Sequence, residues 1–177
     1  MNRGEITLKR KLTNFIWISP FIFLIHDTEE IITVESWVRN HQEVINEYPF
    51  FKSLLTYASY TTLHFAITVA FIFMMFIVIA RFASKSPDGW GMKCFIAAIY
   101  ILFINVFTHV GQTILLGTYT PGVITAVLIV LPFTTIVLRN LKRLNILSEK
   151  VKFHSTVLAV LFAPVIFAPL FLLNIFL

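Results

Sequence analysis

The chain is short of cysteine and of charge, and both shortages narrow what it can be. Cys94 is the single cysteine, which excludes an intrachain disulfide and a multi-thiolate metal cluster within one chain. Charged residues make up 13% of the sequence against 58% hydrophobic, and 19 residues are phenylalanine, far from a soluble average. The few charges cluster between apolar stretches of about 20 residues, the length that a helix needs to cross a bilayer. These observations define an integral membrane protein, and 177 residues make it a single domain over residues 1–177. The net charge of +5 does not argue for nucleic acid as a partner, because the basic residues flank the apolar segments, where they set orientation. Membrane lipids are the expected surroundings. No small-residue cleavage pattern follows the basic residues Lys9, Arg10 and Lys11, so the apolar stretch after them is read as a membrane anchor rather than a signal peptide.

The hydropathy pattern predicts an all-α polytopic bundle of about five transmembrane helices plus an interfacial helix or lid. The first helix runs from about Leu12 to the low thirties, with Pro20 as a kink. From Thr33 to about Thr56, charged residues alternate with Trp37, Val44, Ile45, Tyr48, Phe50 and Phe51, the pattern of a segment lying on the membrane. The second helix, about Tyr57 to Phe82, has neither glycine nor proline. It should be straight. A turn-rich connection, Ser84 to Gly91, leads to the third helix, about Met92 to Leu116. Gly117 to Gly122 makes a reversal, with Thr120 as N-cap and Pro121 at the first position of the fourth helix, which ends near Leu138. Arg139 to Lys152 is a basic loop, and the fifth helix takes the rest. His41 and His154 fall in loops in this reading. With the N-terminus cytoplasmic, 12 of the 14 basic residues lie inside and only Arg39 and Lys52 outside, so the C-terminus is expected to be extracytoplasmic.

One stretch breaks the apolar pattern in a way that calls for chemistry. Ile25-His26-Asp27-Thr28-Glu29-Glu30 interrupts the apolar run of the first helix, and a carboxylate in hydrocarbon costs about 2.5 kcal/mol or more unless a partner, a proton or a metal compensates it. On a helix, His26 shares a face with Glu29 and Glu30, while Asp27 points elsewhere. At a rise of about 1.5 Å per residue, His26 to Glu30 come roughly 21 to 27 Å above Leu12. By the same rise Asn105, His109 and Gln112 stand roughly 18 to 29 Å above Lys93, and His64 roughly 25 Å above Arg81. Three helices thus bring histidine or carboxylate groups to one level in the outer half of the membrane.

Imidazole nitrogen and carboxylate oxygen suit zinc and iron, and two histidines with one carboxylate leave a coordination position open. His26, Glu30 and His109 are the first candidates for metal ligands, with His64 a third histidine ligand or a substrate contact. Glu29 is the candidate general base, and Asn105 would orient a ligand or a developing oxyanion. The paired Glu-x-x-His runs of di-iron bundles are missing, which argues against a two-metal site, and mononuclear zinc ranks above iron.

His26-Asp27-Thr28-Glu29-Glu30, together with Asn105-x-x-x-His109, Tyr119-x-Pro121-Gly122 and the following Thr125 and Ala126, resembles the HXXEE domain family. The resemblance covers about residues 15 to 138. It implies a small multi-helix membrane protein of bacterial or archaeal cell membranes with His26, Glu29, Glu30, Asn105 and His109 as functional residues. It implies no activity. Three functions remain in view: a metal-dependent membrane enzyme, hydrolase-like, acting on an apolar or lipid-like substrate; a proton-coupled transporter; and a non-catalytic metal- or small-ligand-binding membrane protein. The cytoplasmic halves of the helices are almost wholly apolar, which argues against a through-path for a transporter. The enzyme is the leading expectation.

Overall fold

The computed structural model of the protein describes residues 3–49, 52 and 61–176, with side chains described for 6–49, 52 and 61–164. Among these residues there is no strand. Six helices follow in order: α1 Arg3–Asn40, α2 Gln42–Asn46, α3 Thr62–Ala83, α4 Trp90–Leu116, α5 Val123–Arg143 and α6 Glu149–Phe176. Three of them, α3, α4 and α5, are long and apolar enough to cross a membrane, where the sequence led us to expect five spans. The apolar run of α1 is interrupted by the acidic residues near its middle, and the side chains of α6 beyond 164 lie outside the described residues.

Several boundaries differ from those expected, for local reasons. Helix α1 runs 38 residues, about 57 Å at 1.5 Å per residue, so it does not stop after Glu30. Pro20 lies inside it and has no N–H to return to the carbonyl of Ile16. The buried Ser19 hydroxyl donates to that oxygen at 2.8 Å, replacing the missing donor. The first part of the expected lid, 33–40, is therefore a continuation of α1, and α2 follows it; residues 50, 51 and 53–56 of that segment, and 57–60 at the start of the expected second helix, lie outside the described residues. Glu35 Oε2 accepts from the Thr62 N–H and hydroxyl, at 2.8 and 2.6 Å, at the start of α3. His41, in the turn between α1 and α2 as expected, stacks on Trp37, whereas His154 lies within α6 and not in a loop.

The entry to α5 also departs from expectation. Gly122, at φ +84°, and not Thr120, immediately precedes the helix. The Val123 N–H donates to the Thr120 carbonyl at 3.2 Å and the Ala126 N–H to that of Gly122 at 2.9 Å. Ala126–Val130 then form a π-turn. Pro132 follows, which can neither donate to the Leu128 carbonyl nor pack against it in a regular α-turn, and a wider turn relieves that conflict. Helix α5 continues to Arg143 and α6 starts at Glu149, so the expected basic loop shrinks to 144–148.

Helix α1 packs mainly on α3, α3 on α4, and α4 on both α5 and α6. Two apolar clusters result. One joins Phe23 and Val34 of α1 to Phe65, Val69, Ile72 and Phe76 of α3, to Leu102 and Val106 of α4, and to Ala126 and Val130 of α5. Phe23 and Phe76 stack there at 5.2 Å. The other lies toward the opposite end, around Ile16, Ala80, Phe95, Ile99 and Val137. A Cβ on Gly91 would stand 2.5 Å from the Phe82 carbonyl carbon, so glycine is what lets α3 and α4 close together there. The polar residues of interest lie at the first cluster, where α1, α4 and α5 meet.

Candidate functional site

Helix α1 supplies His26, Glu29 and Glu30; α4 supplies Asn105 and His109; α5 supplies Thr125; and the turn between α4 and α5 supplies Tyr119 and Gly122. Glu30 Oε1 lies 2.9 Å from His109 Nε2 and 3.6 Å from His26 Nε2. The two imidazole rings meet edge to face, centroids 5.0 Å apart. One ligand atom from each of His26, Glu30 and His109 falls within 4.8 Å of the others. Both histidines are buried, at 1% and 7% exposure, which keeps water from competing for their nitrogens.

Asn105 sits against this group. The Thr108 hydroxyl, which donates to the Asn105 carbonyl at 2.7 Å, also lies 3.1 Å from Oδ1, and the amide Nδ2 is 3.2 Å from His26 Nε2 and 3.0 Å from His109 Nε2. That contact orients both rings.

Glu29 faces away from the three-ligand group. Its oxygens accept from the Tyr119 hydroxyl at 2.6 Å, from the Thr125 N–H at 2.8 Å and from the Thr125 hydroxyl at 2.6 Å. A carboxylate holding three donors is a poor general base and a good anchor, so the geometry gives Glu29 a positioning role in place of the expected proton transfer. Burial, and then the bond to Glu29, push the Tyr119 phenol above its ordinary value.

The structure does not bring His64 into the three-ligand group. It lies in the first turn of α3, its N–H on the Thr61 hydroxyl at 3.3 Å and its carbonyl accepting from Thr68 at 3.0 Å. Height along the helices placed it level with His26; height says nothing about which side of a helix faces the site.

Sequence reasoning undervalued four residues. Asp27, set aside as pointing elsewhere, is buried, and its Oδ2 has no hydrogen-bond partner among the described residues. Thr125 touches both Glu29 and His26. Gly122 comes so close that a Cβ there would lie 2.6 Å from Glu30 Oε1 and 2.8 Å from His109 Cε1. Trp37 donates its indole N–H to the Tyr119 carbonyl at 2.5 Å, tying the extension of α1 to the turn that covers the site. Gly122 and Thr125 stood among the residues that carried the resemblance read from the sequence, though without a role. For Asp27 and Trp37 there was only their place in the chain.

Fold and site together define an all-helical protein, over the described residues, that carries membrane-capable helices and a His–Glu–His group in which both histidines are buried. The chain belongs to the HXXEE family: the description "protein of unknown function with HXXEE motif" matches it over residues 17–137. No curated protein and no solved structure matches the chain.

Proposed function

We propose that the chain is a membrane-embedded, metal-dependent enzyme, hydrolase-like, acting on an apolar or lipid-like substrate. The observation that carries this reading is the convergence of His26 Nε2, His109 Nε2 and Glu30 Oε1 from two helices within 4.8 Å. Two imidazoles and one carboxylate form a ligand set used by catalytic zinc sites, three protein ligands that leave a fourth position open, with iron the second candidate. Zinc so held supplies Lewis acidity toward a carbonyl or phosphoryl oxygen. The chain's own residues do the rest: Asn105 fixes the ring planes, Glu29 holds the turn through Tyr119 and the start of α5 through Thr125, and Gly122 admits the close approach of Glu30 and His109.

The topology in this proposal is five crossings in a bacterial or archaeal cell membrane, N-terminus inside and C-terminus outside, supported by the distribution of 12 of the 14 basic residues. The site then opens in the outer half of the bilayer. Large apolar side chains exposed near it, Ile25, Ile32, Ile104 and Phe107, favour a substrate that arrives through lipid. A second reading, a metal-binding membrane protein without catalysis, is favoured by the engagement of both Glu29 oxygens.

Metal analysis of the purified chain tests the shared core of both readings. Stoichiometric zinc or iron in the parent, lost in His26→Ala and His109→Ala, is the expected result. Metal-free parent protein from metal-replete growth would sink it. Zinc-dependent turnover of a lipid-like ester, absent in His109→Ala, would then separate enzyme from binding protein.

A further inference from the structure

The Thr125 hydroxyl stands between a carboxylate and a histidine, 2.6 Å from Glu29 Oε2 and 2.9 Å from His26 Nδ1. It has a single proton to give. The other atom in reach of that proton, the Gly122 carbonyl at 3.3 Å, is an acceptor only, as is the Glu29 carboxylate. Both oxygens of Glu29 already take donors that point one way, the Tyr119 hydroxyl and the Thr125 N–H. Whether the proton goes to Glu29 or to Gly122, it does not go to His26. At Nδ1, therefore, His26 donates and Thr125 accepts.

A neutral imidazole that donates from Nδ1 is bare at Nε2. That nitrogen faces the Asn105 amide at 3.2 Å and Glu30 Oε1 at 3.6 Å. His26 Nε2 and the Glu30 oxygen are then two acceptors turned toward each other. The Asn105 amide can serve the Nε2 lone pair, and a cation between Nε2 and Glu30 Oε1 would satisfy both acceptors at once.

We propose that Thr125 is a positioning residue: through the chain Glu29–Thr125–His26 it holds His26 as the Nδ1–H tautomer and presents the Nε2 lone pair to a divalent cation shared with Glu30 and His109. The metal part rests on the reading above; the tautomer part does not. Outer partners of this kind fix the ring and raise ligand basicity, and their loss typically weakens metal binding about 10- to 100-fold.

The experiment uses the full chain in detergent micelles with 15N-labelled histidine. The zinc-free protein is examined by NMR, with the His26 signals identified as those missing from His26→Asn, and zinc affinity is measured by chelator competition. Expected in the parent and in Thr125→Ser is an Nδ1–H tautomer at His26. Thr125→Val, equal in shape but without the hydroxyl, is expected to lose that tautomer and about 10- to 100-fold in zinc affinity. Glu29→Gln gives a second route to the same loss if the valine variant misfolds, and circular dichroism checks folding. An Nε2–H or imidazolium signal at His26 in the parent overturns the proposal, as does parent-like tautomer and affinity in Thr125→Val. Zinc binding absent throughout, with the Nδ1–H tautomer present in the parent and lost in Thr125→Val, overturns the metal reading and upholds the relay.

Discussion

Glu30 crosses from α1 to His109 on α4, Oε1 to Nε2 at 2.9 Å, and so joins two helices that are not neighbours in the chain. A carboxylate in that position can act as metal ligand, as ion-pair partner or as both in different states. Glu30→Gln keeps the shape and removes the charge. We expect it to lower zinc affinity by about 100-fold or more, since an amide oxygen is a weaker ligand than a carboxylate oxygen and outer-partner losses already reach that size. Chelator competition measures it. Unchanged affinity would take Glu30 out of the ligand set.

Gly122 offers a test that leaves every polar group in place. Its φ of +84° disfavours any residue with a Cβ, by about 1 to 2 kcal/mol, and the added atom would stand 2.6 Å from Glu30 Oε1. Backbone cannot easily give, so the carboxylate must move. Gly122→Ala should therefore lower the thermal midpoint and weaken metal binding together. A variant that loses stability but binds metal like the parent would show that Glu30 reaches the site by another rotamer.

The Tyr119–Glu29 bond predicts a pH dependence. Burial and then the neighbouring carboxylate hold the phenol above its ordinary value of roughly 10. A raised value in the folded state means that this contribution to stability is present in full below about pH 10 and is lost as pH rises through the folded value. Tyr119→Phe has no proton there to lose. The parent should be more stable than Tyr119→Phe at neutral pH and should lose part of that advantage above about pH 10. Thermal midpoints across that range decide it, and parallel curves for the two proteins would count against the bond.

How much of this was legible beforehand follows from which physics each feature rests on. Apolar run length depends on local composition alone, so α4 emerged within a few residues of its expected bounds and α3 ended within one residue of its expected end. The His26 to Glu30 stretch was legible because carboxylates inside an apolar segment need a reason, and His109 because it shares a face with Asn105. The ends of α1 and α5 were not, since they depend on contacts that the chain makes elsewhere: Glu35 with Thr62, and Trp37 with the Tyr119 turn. His64 was included on height alone, and rotation about the helix axis, set by packing, left it out of the three-ligand group. Thr125 was hidden for a different reason. Threonines in apolar helices commonly bond to their own backbone, as Thr134 does to the Val130 carbonyl at 2.7 Å, and nothing local separates the two cases.

Trp37 is where the fold controls the site from a distance. It lies seven residues beyond Glu30, and its indole N–H on the Tyr119 carbonyl fixes the turn whose next residues, Thr120 to Gly122, cover Glu30 and His109. Tyr48 adds a second tie, its hydroxyl on the Leu115 carbonyl at 3.0 Å near the end of α4. Trp37→Phe keeps most of the ring and removes the donor, at a cost of about 1 kcal/mol. That is too little to unfold the chain, and enough to increase local opening of the turn about fivefold. Amide hydrogen exchange over residues 117–123 should therefore quicken in Trp37→Phe while exchange in the middle of α3 stays as in the parent. Tyr48→Phe, which touches the end of α4 and not the turn, should leave the Tyr119 region nearer to the parent rate. Equal exchange in all three proteins would mean that the turn is held from the Glu29 side alone, through Tyr119 and Thr125, and that the extension of α1 merely rests against it.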